Sequence, residues 1–301
     1  MLCKSPAFFN CVLYYNIVSH HSPSSCVHLQ NPLQRLNKSI RLIYKIIFEV
    51  ENTEGVALMS RSWPLPDKPW ILRQTWNDLL FAHWPIPIET LRPLLPSHIP
   101  IDTFDGTAWI GVVPFHMSGI APRGLPPLPY FSAFPEINVR TYVTINGKPG
   151  VYFFSLDAHN RFAVEAARFA FHLPYFYAHI QVQLQAENTI FYQCLRIDNR
   201  ARQGKFTGKY HPSSDIRFAI PGTLEYWLTE RYCLYCTDRR GNVYRGDIDH
   251  DPWPLQSAEA SINVNTLPIS FGIQLPGTSP LLHFAKILKV KIWALEKLRL
   301  T

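Results

Sequence analysis

The chain has 301 residues, a formal net charge of +7, 47% hydrophobic residues and 17% charged residues. These values indicate a globular protein of one large domain or two small ones. The positive charge is not concentrated in Lys/Arg runs interleaved with aromatic residues, which argues against nucleic-acid binding. No apolar run reaches the roughly 18 residues that span a bilayer, so the sequence predicts no membrane segment.

Residues 1–58 differ in composition from the rest of the chain. They hold three of the six cysteines (Cys3, Cys11 and Cys26) and none of the eight tryptophans, the first of which is Trp63. The apolar stretch near the N-terminus is interrupted by asparagines, and no small-residue cleavage pattern follows it. It therefore lacks the features of a signal peptide.

Two interpretations of residues 1–58 remain open: a translated but poorly ordered extension, or a stretch upstream of the true start at Met59. In a bacterial source, the codons of Glu54-Gly55 can spell a purine-rich ribosome-binding core shortly before Met59. Both interpretations predict a single domain over residues 59–301. That domain has three cysteines, an odd number without framework spacing, which favours a reducing cytoplasm over secretion.

From Trp63 onward the sequence predicts short strands, few helices and Pro-rich connections. The predicted strands are 74–86, the hairpin 101–117 around Asp105-Gly106, the hairpin 134–157, 177–186, 190–198, the hairpin 231–248, 259–266 and 288–296. The predicted helices are 87–99, 160–173, 221–230 and 279–286, and the long loops are 118–134 and 200–217. This pattern indicates an α+β fold with a large antiparallel, barrel-like sheet.

The stretch 136–145 alternates strictly. Ile137, Val139, Thr141, Val143 and Ile145 share one face of the predicted strand, and Glu136, Asn138, Arg140, Tyr142 and Thr144 share the other. The first face belongs to a core. The second face has two interpretations, an ordinary solvent surface or the lining of a polar pocket, and the residues alone favour the solvent surface.

The usual catalytic signatures are missing: a nucleophile elbow, a phosphate loop, a dinucleotide fingerprint and an H-E-x-x-H helix. Cys233 and Cys236 have the spacing of half a zinc site. In a strand, however, positions three apart face opposite sides, and no second cysteine pair follows. The sequence therefore predicts structural cysteines, no metal site and no cofactor.

Helix 160–173 has a charged stripe and an apolar stripe. Arg161, Glu165, Arg168 and His172 form the charged one, and we expect it to be solvated. Phe162, Ala166, Phe169 and Leu173 form the other, which we expect to be core. Of the histidines, His83, His116 and His172 lie among aromatic or aliphatic neighbours, which is typical of satisfied core or rim residues.

Several long segments resemble one family, the YqjF-like proteins of bacteria. The resemblance covers the chain from about Trp70 to the last strand, and it excludes residues 1–58. The segments that carry it are LLFAHWPI, LRPLLPSHIPIDTFDGTAWIGVVPFHMSG, RGLPPLP, FPEINVRTYV, GVYFFSLDA, LTERYCLY and PWPLQ. This family looks like a branch of the acetoacetate decarboxylase-like superfamily, so the resemblance implies a cone-shaped antiparallel β-barrel around a small-molecule cavity.

The resemblance also implies site residues. Glu136 takes the place of the cavity glutamate of the decarboxylases, while Tyr175 stands where they have the Schiff-base lysine. Their cavity arginine falls near Asn77, and Arg140 is a candidate replacement. Without the lysine, the resemblance implies no decarboxylation through an imine. No nearby lysine is expected to substitute, because Lys148 is predicted in a turn and Lys205 and Lys209 in the basic loop.

The resemblance favours the pocket interpretation of stretch 136–145, and we predict an internal polar cavity. Glu136 and Arg140 are the predicted catalytic residues, acting as acid/base and anion anchor. Asn138, Tyr175, His172, His83 and His116 are the predicted ligand-binding residues. The expected function is an enzyme acting on a small carbonyl or carboxylate compound, and the alternative is a non-catalytic binder of a small ligand. We expect a small molecule as the partner, while the oligomeric state stays open.

Overall fold

The computed structural model describes residues 63–127 and 131–299, so the expectations for residues 1–58 lie outside it. The strands are β1 (Leu72–Ile86), β2 (Ala108–Pro122), β3 (Phe134–Ile145), β4 (Lys148–Ala158), β5 (Tyr175–Leu184), β6 (Ile190–Arg196), β7 (Lys205–Pro212), β8 (Cys233–Thr237), β9 (Val243–Asp249), β10 (Leu255–Asn265), β11 (Leu281–Ile292) and β12 (Glu296–Lys297). The α-helices are α1 (Ile88–Leu91), α2 (Arg161–Phe171) and α3 (Leu224–Thr229), and the 3-10 turns are Arg92–Leu94, Ala186–Asn188 and Ile269–Phe271. None of these helices is long and apolar enough to cross a membrane.

The strands hydrogen-bond in the order β12-β9-β8-β4-β3-β2-β1-β11-β10-β7-β6-β5. Most pairs are antiparallel, whereas β4 runs parallel to both β5 and β8. Two further pairings, β9 with β11 and β4 with β5, join strands that are distant in this order. The mostly-sheet architecture with a few short helices confirms the predicted α+β class.

Strands β1, β2 and β3 are buried on both faces, because each face packs into a different hydrophobic cluster. The first cluster takes Leu80, Ala82, Ile110, Val112, Ile137 and Val139. The second cluster takes Leu79, Phe81, Val113, Phe115, Met117 and Phe134. Burying one such aliphatic or aromatic side chain contributes roughly 1.5–3 kcal/mol. The second cluster is the side on which the candidate site lies.

Three predicted elements differ from the structure. The predicted basic loop 200–217 contains β7, whose Phe206 and Tyr210 are buried while Lys205 and Lys209 are exposed. The predicted helix 279–286 is part of β11, which pairs with β1 over most of its length. Both segments are strands because their backbone N–H and C=O groups hydrogen-bond to strands that are distant in sequence. The local sequence pattern contains no information about those pairings.

The predicted hairpin at Asp105-Gly106 is wrong as well. The tight turn itself is present, since Phe104 and Thr107 form an isolated bridge around it. However, Ile101 bridges Val143 of β3, so the chain before the turn does not pair with β2. The turn introduces β2 without forming a hairpin.

The cysteines of β8 lie at two different places in the core. Cys233 Sγ contacts the carbonyl oxygen of Pro149, and Cys236 Sγ contacts that of Phe171, at 3.4 and 3.2 Å. Burial raises the pKa of the Cys233 thiol to about 11 and that of Cys236 to about 12. Since zinc binds the thiolate, these environments oppose metal binding, and the absence of zinc stays a prediction.

We predict that a protein beginning at Met59 keeps the thermal midpoint of the full chain within about 2 °C. Every described strand lies after residue 71, and Trp293 Nε1 donates to the carbonyl oxygen of Lys68, which this truncation keeps. Differential scanning calorimetry of the two proteins measures the difference. A drop of 10 °C would show that residues 1–58 belong to the folded core, because about 1 kcal/mol moves the midpoint of a domain this size by only 2–4 °C.

Candidate functional site

A row of polar side chains runs along one face of β3. Glu136, Asn138 and Arg140 are only 1%, 5% and 9% exposed. Their odd-numbered neighbours pack into the first hydrophobic cluster, so the alternation predicted for this strand is confirmed. The polar face is buried rather than solvated.

The polar row lines a cavity of about 410 Å³, called the β3 cavity below. The strands on both sides of β3 present apolar residues to it, among them Phe115 and Val113 of β2 and Leu156 and Phe153 of β4. The opposite wall is helix α2, which contributes Ala163, Ala166, Ala167, Ala170 and Phe171. Most of the lining is therefore apolar, and the polar groups are concentrated in a few places.

Glu136 is a buried carboxyl group that is protonated at neutral pH. Burial raises its pKa from 4.5 to about 8, against the opposing hydrogen bond from Tyr175, and the negative charge of Asp157 adds to the rise. Tyr175 Oη donates to Glu136 Oε2 over 2.9 Å, and the Asn138 side chain is also hydrogen-bonded to Glu136. The phenol cannot supply a nucleophile here, because burial and Glu136 raise the pKa of Tyr175 well above 10.

Arg140 is a buried cation without an anionic partner. In the part of the chain that the structure describes, no carboxylate forms a salt bridge with it, and its Nε has no hydrogen-bond acceptor. Its guanidinium carbon lies 5.2 Å from the centre of the Phe81 ring and 5.8 Å from that of Tyr142. Its contact with the Tyr142 hydroxyl is long, at 3.5 Å. These ring contacts offset only part of the cost of burying the charge.

Gly111 makes room for Arg140 and His83. It is the strand partner of His83 on one side and of Arg140 on the other. A Cβ at this position would lie 3.0 Å from His83 Cδ2 and 3.4 Å from Arg140 Cγ, so a side chain would crowd both residues. His83 thus packs against Arg140, and its Nε2 lies 2.6 Å from the Tyr142 hydroxyl.

The three predicted histidines have three different environments. His83 is fully buried beside Arg140, and burial together with Arg140 lowers its pKa well below 6.5. His116 is on the opposite face of β2 from the cavity-lining residues Phe115 and Met117. His172 is exposed at the end of α2, with its ring 5.0 Å from that of Tyr244. Only His83 contacts the polar row: it lies beside Arg140 on the same face of the sheet, and it is not among the residues that line the cavity.

The predicted core face of α2 is confirmed in part. Leu173 is buried and lines the cavity together with Phe162 and Ala166. Phe162 and Phe169 are 67% and 88% exposed, whereas Val164 is fully buried. Ala163, Ala167 and Phe171 pack against the second hydrophobic cluster and also line the cavity. Phe162 packs edge-on against Phe131, and both rings are at the exposed margin of the cavity.

Besides Gln74 and Trp76 of β1, four further polar residues line the β3 cavity, and sequence reasoning assigned a role to none of them. They are Thr229 and Arg231, at and just after the end of α3, and His250 and Trp253, after β9. Thr229 and Arg231 belong to the quoted segment LTERYCLY, and Trp253 belongs to PWPLQ. The family resemblance therefore marked these segments in the sequence, but only the strand pairings bring them to β3.

No lysine is among the residues that line the β3 cavity over the described ranges. Lys148 begins β4 instead of lying in a turn, and it forms a buried ion pair with Asp247 beside a different, smaller cavity. Lys205 and Lys209 are exposed residues of β7. The position expected for a Schiff-base lysine is occupied by Tyr175, which is bonded to Glu136.

We predict that borohydride does not trap an adduct between this protein and acetoacetate. Imine formation needs a lysine whose pKa is lowered, and the cavity presents a phenol in its place. Intact mass spectrometry after treatment should give the unmodified mass. A reduced adduct that peptide mapping assigns to any lysine would contradict the prediction, and a Schiff-base decarboxylase treated in parallel serves as the positive control.

Comparisons with known proteins assign the chain to a family. The model of the DUF2071 family, an uncharacterized conserved protein, matches residues 73–289. The chain belongs to this family. It is 49% identical to the uncharacterized protein YqjF of Bacillus subtilis (strain 168) over 233 residues, which are 77% of this chain and 95% of YqjF. The resemblance to YqjF-like proteins is therefore confirmed.

Solved structures of other proteins have a fold similar to that of this DUF2071 protein. An acetoacetate decarboxylase-like enzyme from Sphingomonas wittichii RW1 matches with a TM-score of 0.54 at 13% identity, covering 78% of this chain and 95% of that one. The enduracididine biosynthesis enzyme MppR complexed with pyruvate matches with a TM-score of 0.52 at 12% identity, covering 79% and 93%. At these identities the comparison establishes an acetoacetate decarboxylase-like fold and nothing further.

Proposed function

We propose that this DUF2071 protein is an enzyme that acts on a small carbonyl or carboxylate compound bound in the β3 cavity. The observation that carries the proposal is the buried Arg140, which has no anionic partner in the described chain, on the same strand face as a protonated Glu136. We also propose that the sheet closes into a cone-shaped barrel around this cavity. The additional pairing of β9 with β11 supports such closure.

The charge of Arg140 indicates that the ligand carries a negative charge. Removing an ion from water costs several kcal/mol unless a counter-ion or hydrogen bonds replace the lost solvation. Glu136 does not supply the counter-charge, because its raised pKa keeps it neutral at pH 7. A carboxylate of the ligand would satisfy Arg140, and the guanidinium fork is suited to hold one.

Glu136 then provides the chemistry. A protonated carboxyl group with a pKa of about 8 can donate its proton to a carbonyl oxygen as negative charge develops there. Tyr175 holds Glu136 Oε2 through its hydroxyl, which fixes the orientation of the acid. Alternate residues on a strand are about 6.6–6.8 Å apart, so the backbones of Glu136 and Arg140 are separated by about 13 Å. A ligand that spans this interval would place its anion on Arg140 and its reacting group near Glu136.

The proposed reaction does not proceed through an imine, since the cavity lining offers no amine in the described ranges. MppR, which has a related fold, was solved with pyruvate, and that complex supports a small carboxylic acid as the type of ligand. The second candidate is a non-catalytic binder of the same compound. The observation in its favour is that the lining is mostly apolar, as in many binding cavities.

One experiment distinguishes enzyme from binder. Purified protein is incubated with a bacterial metabolite extract, and native mass spectrometry identifies the compounds that remain bound. Arg140→Met serves as the control that should retain none of the anionic compounds. Each retained compound is then incubated with the protein, and product formation that Glu136→Gln abolishes supports catalysis. Specific retention without any turnover supports the binder, and equal retention by Arg140→Met contradicts both.

A further inference from the structure

The β3 cavity has a second group of polar residues beyond the β3 row. Arg231, His250 and Trp253 line it and are 5%, 8% and 2% exposed. Together with Arg140 they form what we call the head-group subsite.

Ring contacts hold these four residues together. Arg140 and Trp253 both pack on Phe81, at 5.2 and 4.8 Å from the centre of its ring. The His250 ring lies 5.4 Å from that of Trp253. Arg231 packs on the same Tyr142 ring as Arg140, at 5.0 Å against 5.8 Å. The four residues of the subsite are therefore linked into one group through shared aromatic rings.

Each member has one buried polar atom without a hydrogen-bond partner among the residues that the structure describes. Three of these atoms are donors: Arg140 Nε, Arg231 Nη2 and Trp253 Nε1. Arg231 uses its other nitrogens elsewhere, since Nη1 donates to Asp102 and Nε donates to the carbonyl oxygen of Trp227, both over 2.6 Å. Buried donors that remain unsatisfied are costly, which indicates that an occupant of the cavity accepts from them.

The fourth atom, His250 Nε2, is an acceptor. His250 Nδ1 lies 2.7 Å from the carbonyl oxygen of Asp251, and a carbonyl only accepts, so Nδ1 carries the proton. Burial lowers the pKa of His250 against the raising effect of backbone hydrogen bonds to Asp251 and Arg231, so the ring is neutral, and Nε2, which has no partner among the described residues, presents a lone pair. The occupant must therefore donate a hydrogen bond as well as accept several.

We infer that the head-group subsite binds a 2-hydroxy acid, with the carboxylate on Arg140, Arg231 and Trp253 and the hydroxyl donating to His250. A keto group at the same carbon has no proton to donate, and an ammonium group would face two guanidinium groups. The body of such a ligand lies along the apolar cavity wall, and its far end carries the carbonyl group on which Glu136 acts. This inference rests on the proposed function, because it names the head group of the ligand that function requires.

A matched set of acids tests the inference in the unmodified protein. The probes are 3-phenyllactate, phenylpyruvate and 3-phenylpropanoate, which share an apolar body and differ only at the second carbon. Isothermal titration calorimetry should give a Kd for 3-phenyllactate about fivefold lower than that for 3-phenylpropanoate, the size of one hydrogen bond. Phenylpyruvate should bind no more tightly than 3-phenylpropanoate.

Two variants test which residue causes the difference between the Kd values of 3-phenyllactate and 3-phenylpropanoate. His250→Leu should reduce the ratio of the two Kd values to about one, because it removes the acceptor. Trp253→Phe keeps the ring but removes a carboxylate donor, so it should weaken all three acids and retain the ratio. Equal Kd values for the three acids in the unmodified protein would overturn the inference and leave the proposed function standing. Binding of none of them would overturn both.

Discussion

Glu136→Gln should make the protein more stable at pH 8.5 and leave its stability at pH 5 nearly unchanged. Burial moves the pKa of Glu136 from 4.5 to about 8 in the folded protein, which corresponds to roughly 5 kcal/mol at 1.36 kcal/mol per pH unit. Between these pH values the folded state binds a proton that the unfolded state has released. The free energy of unfolding of the native protein therefore falls as the pH rises from 4.5 to 8. Glutamine stays neutral and still accepts from Tyr175, so the variant should not show this part of the fall.

Urea unfolding at pH 5 and pH 8.5 measures the effect as a difference between the two proteins. Glu259→Gln, which changes an exposed glutamate of β10, is the matched control and should follow the native protein. If Glu136→Gln loses as much stability between the two pH values as the native protein, Glu136 is not the buried acid described above. With a substrate in hand, turnover should fall as the pH rises through about 8, and Glu136→Gln should be about 100-fold slower or worse.

Arg140→Met should weaken binding of an anionic ligand at least 30-fold and raise the free energy of unfolding of the empty protein by roughly 1 kcal/mol. The loss follows because truncating one member of a buried charge pair costs about 2–5 kcal/mol of binding. The gain follows because the protein without ligand buries this guanidinium with no counter-ion among the described residues, and methionine fills similar space without that cost. Loss of the ring contact with Phe81 reduces the gain.

Opposite changes in binding and stability distinguish a ligand-binding arginine from a structural one. Titration calorimetry with the identified ligand and urea unfolding without it give the two quantities. Arg73→Met is the matched control, since Arg73 is an exposed residue of β1 and should change neither. A large loss of stability in Arg140→Met would assign Arg140 a structural role.

The sequence predicted the polar row of β3 because its evidence is local. Alternation over residues 136–145 assigns each side chain to a face, and a strand of period two keeps that assignment. Whether the polar face meets water or a cavity depends on what covers it. Part of that cover is α2, whose predicted apolar stripe includes the cavity residues Phe162, Ala166 and Leu173 but also Phe169, which is 88% exposed. The sequence of a single helix does not show which of its apolar faces will pack against another element.

The head-group subsite was missed for a different reason. Arg231 and Trp253 are separated from Arg140 by long stretches of chain, and only the pairings of β8 with β4 and of β9 with β11 bring their segments to the cavity. Nothing in the local sequence around Arg231 distinguishes a buried arginine from a solvated one. The same holds for β7, where the lysines indicate a loop until both neighbouring strands are known.

The unmatched charge of Arg140 gives the empty protein a property that can be used without knowing any reaction. A compound that binds only the folded state stabilises it by RT ln(1 + [L]/Kd), or about 2.7 kcal/mol at one hundred times Kd. An anion that neutralises Arg140 is therefore detectable as a rise in melting temperature in a dye-based screen of organic acids. Arg140→Met should show no such rise with the same compounds, so it is the control for the screen. Comparing the two proteins ranks chemical classes of ligand before any reaction product is known.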